Sequence, residues 1–368
     1  MTFFLGAPLR SLRFQYLKPY SILLREYLVA AEGCSKSSVS AFLFSTFSEL
    51  MKESFMIIDA NIRDVTNSSW SADNVHDQYS NTGPHSDLYR YINQWSDMEM
   101  YLNVGYTRWW QRHNTTANHL RLIDRLADFM LDLYDQSPHR DEKWLLDIAS
   151  GRGGAAIRAF QRYGVRALGI DFTGYNVERA TLNARQRGVW PNVRFQIGDA
   201  HNLPIRDEAM SLVWSIESPA HFRDKARFLS EVSRILKPGG VFAMTELLVV
   251  EAIALASDKN RKIYDEFLKV WDVPYLESYD GYVGAMEDAG LKVVRSEIAT
   301  KYNLDIYKRY CRWFLWISKI EPLYRSYKRH IRKKIKTNLD HVRDHSFYSY
   351  QALNLGMIDY GLFWAVKR

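Results

Sequence analysis

The apolar positions follow two rhythms, one on each side of Pro138. Ser38 to Ile58 reads as a helix, with Phe42, Phe47, Leu50 and Met51 near helical spacing. Thr66 to Asp87 is polar and turn-rich, which suits a linker or a lid. Ser86 is placed to cap a short helix through Trp95. A stronger helix starts at Thr115 or Thr116 and carries Leu120, Ile123, Leu126, Met130 and Leu133 on one stripe until Pro138 closes it. Beyond that point short apolar runs alternate with helical stretches. Trp144–Ala149, Arg166–Asp171, Val193–Ile197, Met210–Ile216 and Val241–Val250 read as strands. Ala155–Tyr163, Val177–Arg187 and Phe222–Leu236 read as the helices between them, the last one stopped by Lys237-Pro238-Gly239-Gly240. Leu291–Ala299 and Met357–Lys367 supply two more strands. This alternation predicts an α/β fold, a mostly parallel sheet with helices on both faces.

A length of 368 residues suits one large domain with additions. With 47% hydrophobic and 25% charged residues, the chain is neither disordered nor fibrous. Its two cysteines, Cys34 and Cys311, cannot staple a framework, so a reducing, cytoplasmic setting is expected. No apolar run approaches the roughly 20 residues that span a bilayer. The first 25 residues hold Arg10, Arg13, Lys18 and Arg25 with no acid. Pro8 and Pro19 interrupt any leader helix there, so a basic arm is expected rather than a cleaved segment. The 11 Trp, 23 Tyr and 18 Phe residues fit either an aromatic core or a pocket for a planar, greasy ligand.

The net charge of +7 is concentrated in one place. Between Lys301 and Lys336 seven lysines and five arginines face only Asp305 and Glu321, a local +10 that leaves −3 for the rest. That distribution argues against a general nucleic-acid surface.

The candidate chemistry sits on the strand ends. Asp147-Ile-Ala-Ser-Gly-Arg-Gly-Gly154 joins a strand to a helix, where glycine permits close ligand approach and the helix start offers free N–H groups. Asp171 ends the next strand, about 20 residues on, where a carboxylate accepts ribose hydroxyls. Asp199, in Gly198-Asp199-Ala200, is placed to meet a purine amine. A carboxylate at the glycine turn suits a cationic amino-acid moiety better than a pyrophosphate.

With Leu236-Lys-Pro-Gly-Gly-Val241, these motifs resemble, in order, those of class I S-adenosylmethionine-dependent methyltransferases, over roughly Trp144 to Val250. The resemblance is to bacterial enzymes acting on lipids, polyketides and other small metabolites. It implies a Rossmann-like seven-stranded sheet and S-adenosylmethionine as cofactor. Asp147 and Gly151 would lie by the methionine part, Asp171 at the ribose, and Asp199 and Ala200 at the adenine. Phe172, Ser215 and Tyr106 complete the expected cofactor set. Ala149 stands where the family usually has glycine.

The fourth strand end, Trp214-Ser-Ile-Glu-Ser-Pro-Ala-His-Phe222, opens beside the cofactor in this family. His221 is the expected general base and Glu217 the second candidate for proton handling, with backbone capping as the alternative role for Glu217. Tyr101-Leu-Asn-Val-Gly-Tyr106 and Trp109-Trp110 are similar to a segment that covers the cofactor in these relatives. Trp110, His221 and Tyr310 are the expected substrate contacts.

Four regions follow: a helical arm or lid over residues 1–95, a cofactor-binding core over 96–300, a basic helical cap inserted over 301–350, and the last strand over 351–368. On the first cap helix, Lys308, Arg312 and Lys319 oppose Tyr307, Tyr310, Phe314 and Ile317, which suits a lid or a membrane-surface contact. His341 and His345, beside Asp340 and Asp344, are too few for a metal site, and none is expected.

The expected reaction is methyl transfer to a small, largely apolar metabolite, at oxygen or nitrogen, with a carbon nucleophile as the nearest rival. Methylation of nucleic acid is disfavoured, because the fourth strand lacks the Asn/Asp-Pro-Pro-aromatic pattern used on base amines. A non-catalytic, membrane-anchored binding protein is the third class.

Overall fold

A computed structural model describes residues 100–107, 115–141, 143–320 and 339–368, with Ser71, Asp73, Tyr79, Arg325 and Arg329. The helix expected over Ser38–Ile58, the one through Trp95, most of the 66–87 segment and the 328–336 basic run lie outside the described residues.

Helix α1 (Thr115–Asp135) precedes the sheet. Strand β1 (Trp144–Ile148), helix α2 (Gly154–Tyr163), β2 (Arg166–Asp171), α3 (Gly174–Gln186), β3 (Val193–Ile197) and β4 (Met210–Ile216) follow in alternation. Then come α4 (Lys225–Ile235), β5 (Leu236–Val249), the single turn α5 (Glu251–Ala254), α6 (Asp258–Val270), α7 (Tyr279–Asp288) and β6 (Leu291–Ile298). Helices α8 (Thr300–Ser318) and α9 (Leu339–Leu355) lie between β6 and the last strand, β7 (Ile358–Lys367).

The strands form one sheet in the order β3-β2-β1-β4-β5-β7-β6. All pairings are parallel except those of β7, which runs antiparallel to β5 and β6. Successive strand residues feed opposite faces, as the pleat requires. Leu145, Trp214, Ala243 and Trp364 join the core under α1 and α2. Their chain neighbours Leu146, Val213, Phe242 and Phe363 join the one under α4 and α7. Both faces are therefore covered, which is why these strands read as continuous apolar runs. The stripe predicted on α1 is inward, with Ile123, Leu126 and Met130 buried.

Two boundaries differ from the sequence reading. Helix α4 starts at Lys225 rather than Phe222, because Pro219–His221 forms a 3₁₀ turn and the Asp224 carboxylate caps the helix by accepting the Arg227 N–H at 2.8 Å. Strand β5 begins at Leu236, ahead of the Lys-Pro-Gly-Gly turn. Leu236 pairs with Met210 and Val241 with Leu212, so the turn residues loop out of an otherwise continuous strand.

The inward face of α8 also differs. Leu304, Cys311 and Phe314 are buried, whereas Tyr310 points outward and is half exposed. Among the described residues no helix is long and apolar enough to cross a membrane.

Candidate functional site

Strand order reverses between β1 and β4, and their C-terminal ends open a crevice there. A cleft of about 850 Å³, part of it open to solvent, occupies that place. The glycine turn forms one wall. Ala149, Gly151 and Gly153 all have left-handed backbones, with φ of 55°, 52° and 83°. Alanine at 149 thus adopts the conformation that glycine usually provides, at a cost of about 1–2 kcal/mol.

The turn is stitched to β2. The Ser150 N–H donates to the Ile170 carbonyl at 3.0 Å, and the Gly151 N–H to Asp171 Oδ2 at 2.8 Å. Asp171 Oδ1 accepts from the Thr173 N–H at 2.9 Å and from the Asn176 amide at 3.1 Å. The carboxylate is fixed on the cleft wall with Phe172, more than half exposed, beside it.

Asp147 lines the same cleft from the end of β1. Its carboxyl is pushed up to about 7, chiefly by burial; the Trp214 side chain opposes this and the Asp171 charge adds to it. Asp147 Oδ2 is buried without a hydrogen-bond partner, and so is Ser150 Oγ. Such an acceptor has room for a further donor beyond the Trp214 side chain and the Ala156 backbone, which already favour the carboxylate. An ammonium group would relieve both the missing bond and the charge penalty.

The segment 100–107 crosses the cleft as a strap. The Val104 N–H donates to both Glu217 oxygens at 2.9 Å, and the Tyr360 hydroxyl donates to Glu217 Oε1 at 2.6 Å. Tyr106 N–H donates to Asn118 O at 2.9 Å and Thr107 N–H to Tyr302 O at 2.8 Å. Asn103 Oδ1 accepts from the Gly105 N–H at 3.0 Å and from His119 Nδ1 at 2.9 Å. The strap lies so close to α2 that a Cβ on Gly154 would come within 2.5 Å of Met100 O.

Glu217 thus caps a backbone donor, with its own backbone left-handed at φ 55°. Burial pushes its carboxyl up to about 8, against the hydrogen bonds from Tyr360 and Val104.

His221 stands opposite the glycine turn at the end of the 3₁₀ turn. Its Nδ1 lies 3.1 Å from the Asp272 carbonyl, and its Nε2 lies 3.1 Å from the Tyr79 hydroxyl. Burial holds its conjugate acid down to about 4, partly offset by the Asp272 bond, while the Lys225 charge adds to the fall. The ring is therefore neutral at physiological pH. Its loop is clamped from below. Glu246 accepts the Ala220 N–H at 2.7 Å, and the Lys225 ammonium donates to Phe222 O at 2.9 Å and Tyr275 O at 3.0 Å.

The structure brings Asp147, Ala149, Gly151, Asp171, Phe172, Glu217 and His221 together around the cleft. Of the other predicted residues, Ser215, Tyr106, Asp199, Ala200 and Tyr310 do not line it. Ser215 is fully enclosed, and its hydroxyl donates to Ile148 O, tying β4 to β1. Tyr106 stacks on Tyr302 at 4.8 Å and receives the Arg125 guanidinium at 5.2 Å, away from the cleft. Asp199 Oδ1 is taken by the backbone and ring of His201, at 2.9 and 2.8 Å. Ala200 packs into the core under α4. Tyr310 lies on the outer face of α8, and Trp110 is outside the described residues. Tyr101, Leu102 and Asn103, from the segment expected to cover the cofactor, line the cleft, and so does Tyr79. For Tyr79 no sequence pattern marked the role, since it sits in a polar, turn-rich stretch.

Known proteins resemble this chain in sequence and in fold. The methyltransferase domain family matches residues 146–244. The 27-O-demethylrifamycin SV methyltransferase of Amycolatopsis mediterranei strain S699 is 30% identical over 204 residues, covering 55% of this chain and 70% of that protein. The chain belongs to the class I S-adenosylmethionine-dependent methyltransferases. This methyltransferase is also 36% identical over 119 residues to norajmaline N-methyltransferase of Rauvolfia serpentina, covering 32% of this chain and 40% of that protein. Its fold is that of geranyl diphosphate C-methyltransferase from Streptomyces coelicolor A3(2), seen with S-adenosyl-L-homocysteine, at a TM-score of 0.53 and 19% identity over 78% of this chain and all of that one. S-adenosylmethionine is its cofactor, and the cleft fits that molecule. Asp147, with its unpartnered buried oxygen, and the anchored Asp171 both line that cleft.

Proposed function

We propose that this methyltransferase methylates a hydroxyl oxygen of a small, largely apolar molecule, with His221 as general base. One observation carries the reading. His221 lines the cleft, and its Nε2 lies 3.1 Å from the hydroxyl of Tyr79, another residue of the lining. An acceptor O–H in that place hands its proton to Nε2 as its oxygen gains the methyl group. S-adenosylmethionine supplies the electrophilic methyl group on a positively charged sulfur. The proton leaves the acceptor as that positive charge is discharged, so charge is conserved and passes to the imidazole. Burial keeps the imidazolium form unfavourable, so His221 returns to neutrality by passing the proton on.

The lining supports an apolar acceptor. Tyr79, Met100, Tyr101, Leu102, Ile216 and Phe222 supply rings and aliphatic surface, and Arg152 is the one cationic side chain among the described lining residues. The first relative above is named for an O-acceptor and the second for an N-acceptor. The hydroxyl already docked at the base favours oxygen here.

Methyl-labelled S-adenosylmethionine, incubated with the protein and an extract of its source, tests the proposal. Label should enter the organic-soluble fraction, and His221→Asn should lower incorporation by about 100-fold or more. Label in nuclease-sensitive material, or a wild-type rate in His221→Asn, would overturn it.

A peripheral membrane contact through the cap is the accompanying proposal. Trp313 and Trp316 are more than half exposed on α8, in the most basic stretch of the chain. Rings and cations on one face suit an anionic lipid surface. Flotation with phosphatidylserine vesicles should show binding that Trp313→Ser with Trp316→Ser loses; equal binding by that variant contradicts it.

A further inference from the structure

The cap helices connect to the candidate base through a main-chain carbonyl. Helix α6 ends at Val270 with Trp271 as its cap, and Asp272 follows with φ 48°. A left-handed backbone is uncommon outside glycine, although aspartate tolerates it better than most. The Asp272 N–H donates to Lys269 O at 3.2 Å and the Val273 N–H to Leu268 O at 3.0 Å, closing the helix end. The Asp272 carbonyl then faces His221 Nδ1 at 3.1 Å.

A carbonyl only accepts. The proton of the neutral ring must therefore reside on Nδ1, which leaves the lone pair on Nε2. Nε2 is the nitrogen that faces Tyr79, which lines the cleft with His221.

Trp271 is in turn held by the cap. Its indole N–H donates to Ser349 Oγ on α9 at 2.9 Å. Its ring lies 5.1 Å from His345 and 5.5 Å from Tyr307, and those two side chains share a hydrogen bond of 3.0 Å.

We infer that Asp272 is a positioning residue whose left-handed main chain fixes His221 as the Nδ1–H tautomer, and that the Trp271–Ser349 contact ties this carbonyl to the cap. The contact to His221 is made by the backbone carbonyl, so a substitution at 272 acts on it through the φ it permits. The catalytic consequence rests on the reading of His221 as base; the tautomer does not.

The test is a proton–nitrogen correlation spectrum of the enzyme with ring-labelled histidine, the His221 signals being assigned by His221→Asn. At pH 7 the wild type should show His221 protonated on Nδ1 alone. Asp272→Gly, which keeps φ positive without strain, should retain that tautomer. Asp272→Val, whose branched side chain rejects this backbone, should populate the Nε2–H form. It should also lose about 100-fold in methyl transfer, while S-adenosylhomocysteine affinity stays within about twofold. Ser349→Ala should raise the Nε2–H fraction in the same direction but by less.

Nε2 protonation in the wild type, or an unchanged tautomer in Asp272→Val, overturns the positioning role. An unchanged spectrum in Ser349→Ala overturns the tie to the cap. Calorimetry with S-adenosylhomocysteine shows whether Asp272→Val folds. If it does not, the wild-type and Ser349→Ala spectra decide. If the tautomer is as stated but His221→Asn transfers methyl at the wild-type rate, the base reading falls and the positioning role stands.

Discussion

Asp147 combines two features that rarely coexist on a carboxylate: full burial and an oxygen with no donor. Burial, together with the Asp171 charge, lifts its pKa to about 7, so near pH 7 about half of the unliganded molecules carry a proton there. An ammonium docked against Oδ2 favours the ionised form and drives that proton off. S-adenosylhomocysteine carries the amino-acid moiety without the reactive methyl, so it reports this event alone. Binding at pH 7 should release about half a proton per site, read from calorimetric enthalpies in buffers of different ionisation enthalpy. The release should vanish at pH 9, where Asp147 is already ionised, and Asp147→Asn should abolish it while weakening binding. No proton release at pH 7 in the wild type would remove Asp147 from the ammonium site.

Between elements, the strap over residues 100–107 depends on one glycine. Gly105 has φ 77°, and a Cβ there would meet Asn118 Cβ at 2.8 Å and the Asn118 backbone at 3.0 Å. Gly105→Ala combines left-handed strain of about 1–2 kcal/mol with overpacking of about 1–3 kcal/mol. It should lower denaturation stability by about 2–5 kcal/mol and weaken cofactor binding, because Leu102 and Asn103 lose their places on the cleft. Gly164→Ala is the matched control, since φ is 68° but no atom lies within 4 Å of its Cβ. It should lose only the backbone share and keep full cofactor affinity. Equal affinity in both variants would show that the strap does not shape the site.

The legibility of these elements in the sequence follows the range of the forces that set them. The strands, the glycine turn and Asp171 are local: a buried run, a turn with required φ, and a carboxylate 20 residues on. They stand where the pattern placed them. Tyr106 is a long-range matter. The YLNVGY segment was recognisable, but which ring faces the cleft depends on Tyr302 and Arg125, which come from α8 and α1. Ser215 shows the same limit, since its hydroxyl is consumed by a neighbouring strand that only the sheet order reveals. Tyr79 belongs to this class too, 142 residues from the histidine it meets.

Across the whole molecule, Glu217 is where the sheet, the strap and the His221 loop meet. Its oxygens receive Val104 from the strap and Tyr360 from β7, while its own residue follows β4. Burial places its pKa at about 8, against an ordinary value near 4.5. The sign of its effect on folding follows. A raised pKa means the folded protein holds a proton that the unfolded chain has released between pH 4.5 and pH 8. The stabilising contribution is complete below the lower value and is lost as pH rises through the upper one. At pH 4 the side chain is a protonated acid in both the folded and the unfolded chain, so Glu217→Gln replaces it with a group of similar shape and little changes. Above pH 8 the wild type must hold a buried carboxylate and the glutamine variant need not. Thermal melts at pH 4, 6 and 9 should therefore nearly coincide for the two proteins at the lowest pH and separate progressively, with the variant the more stable at pH 9. Parallel melting curves across that range would mean that Glu217 is ionised throughout, and the strap would then be held by a permanent carboxylate rather than by a neutral acid.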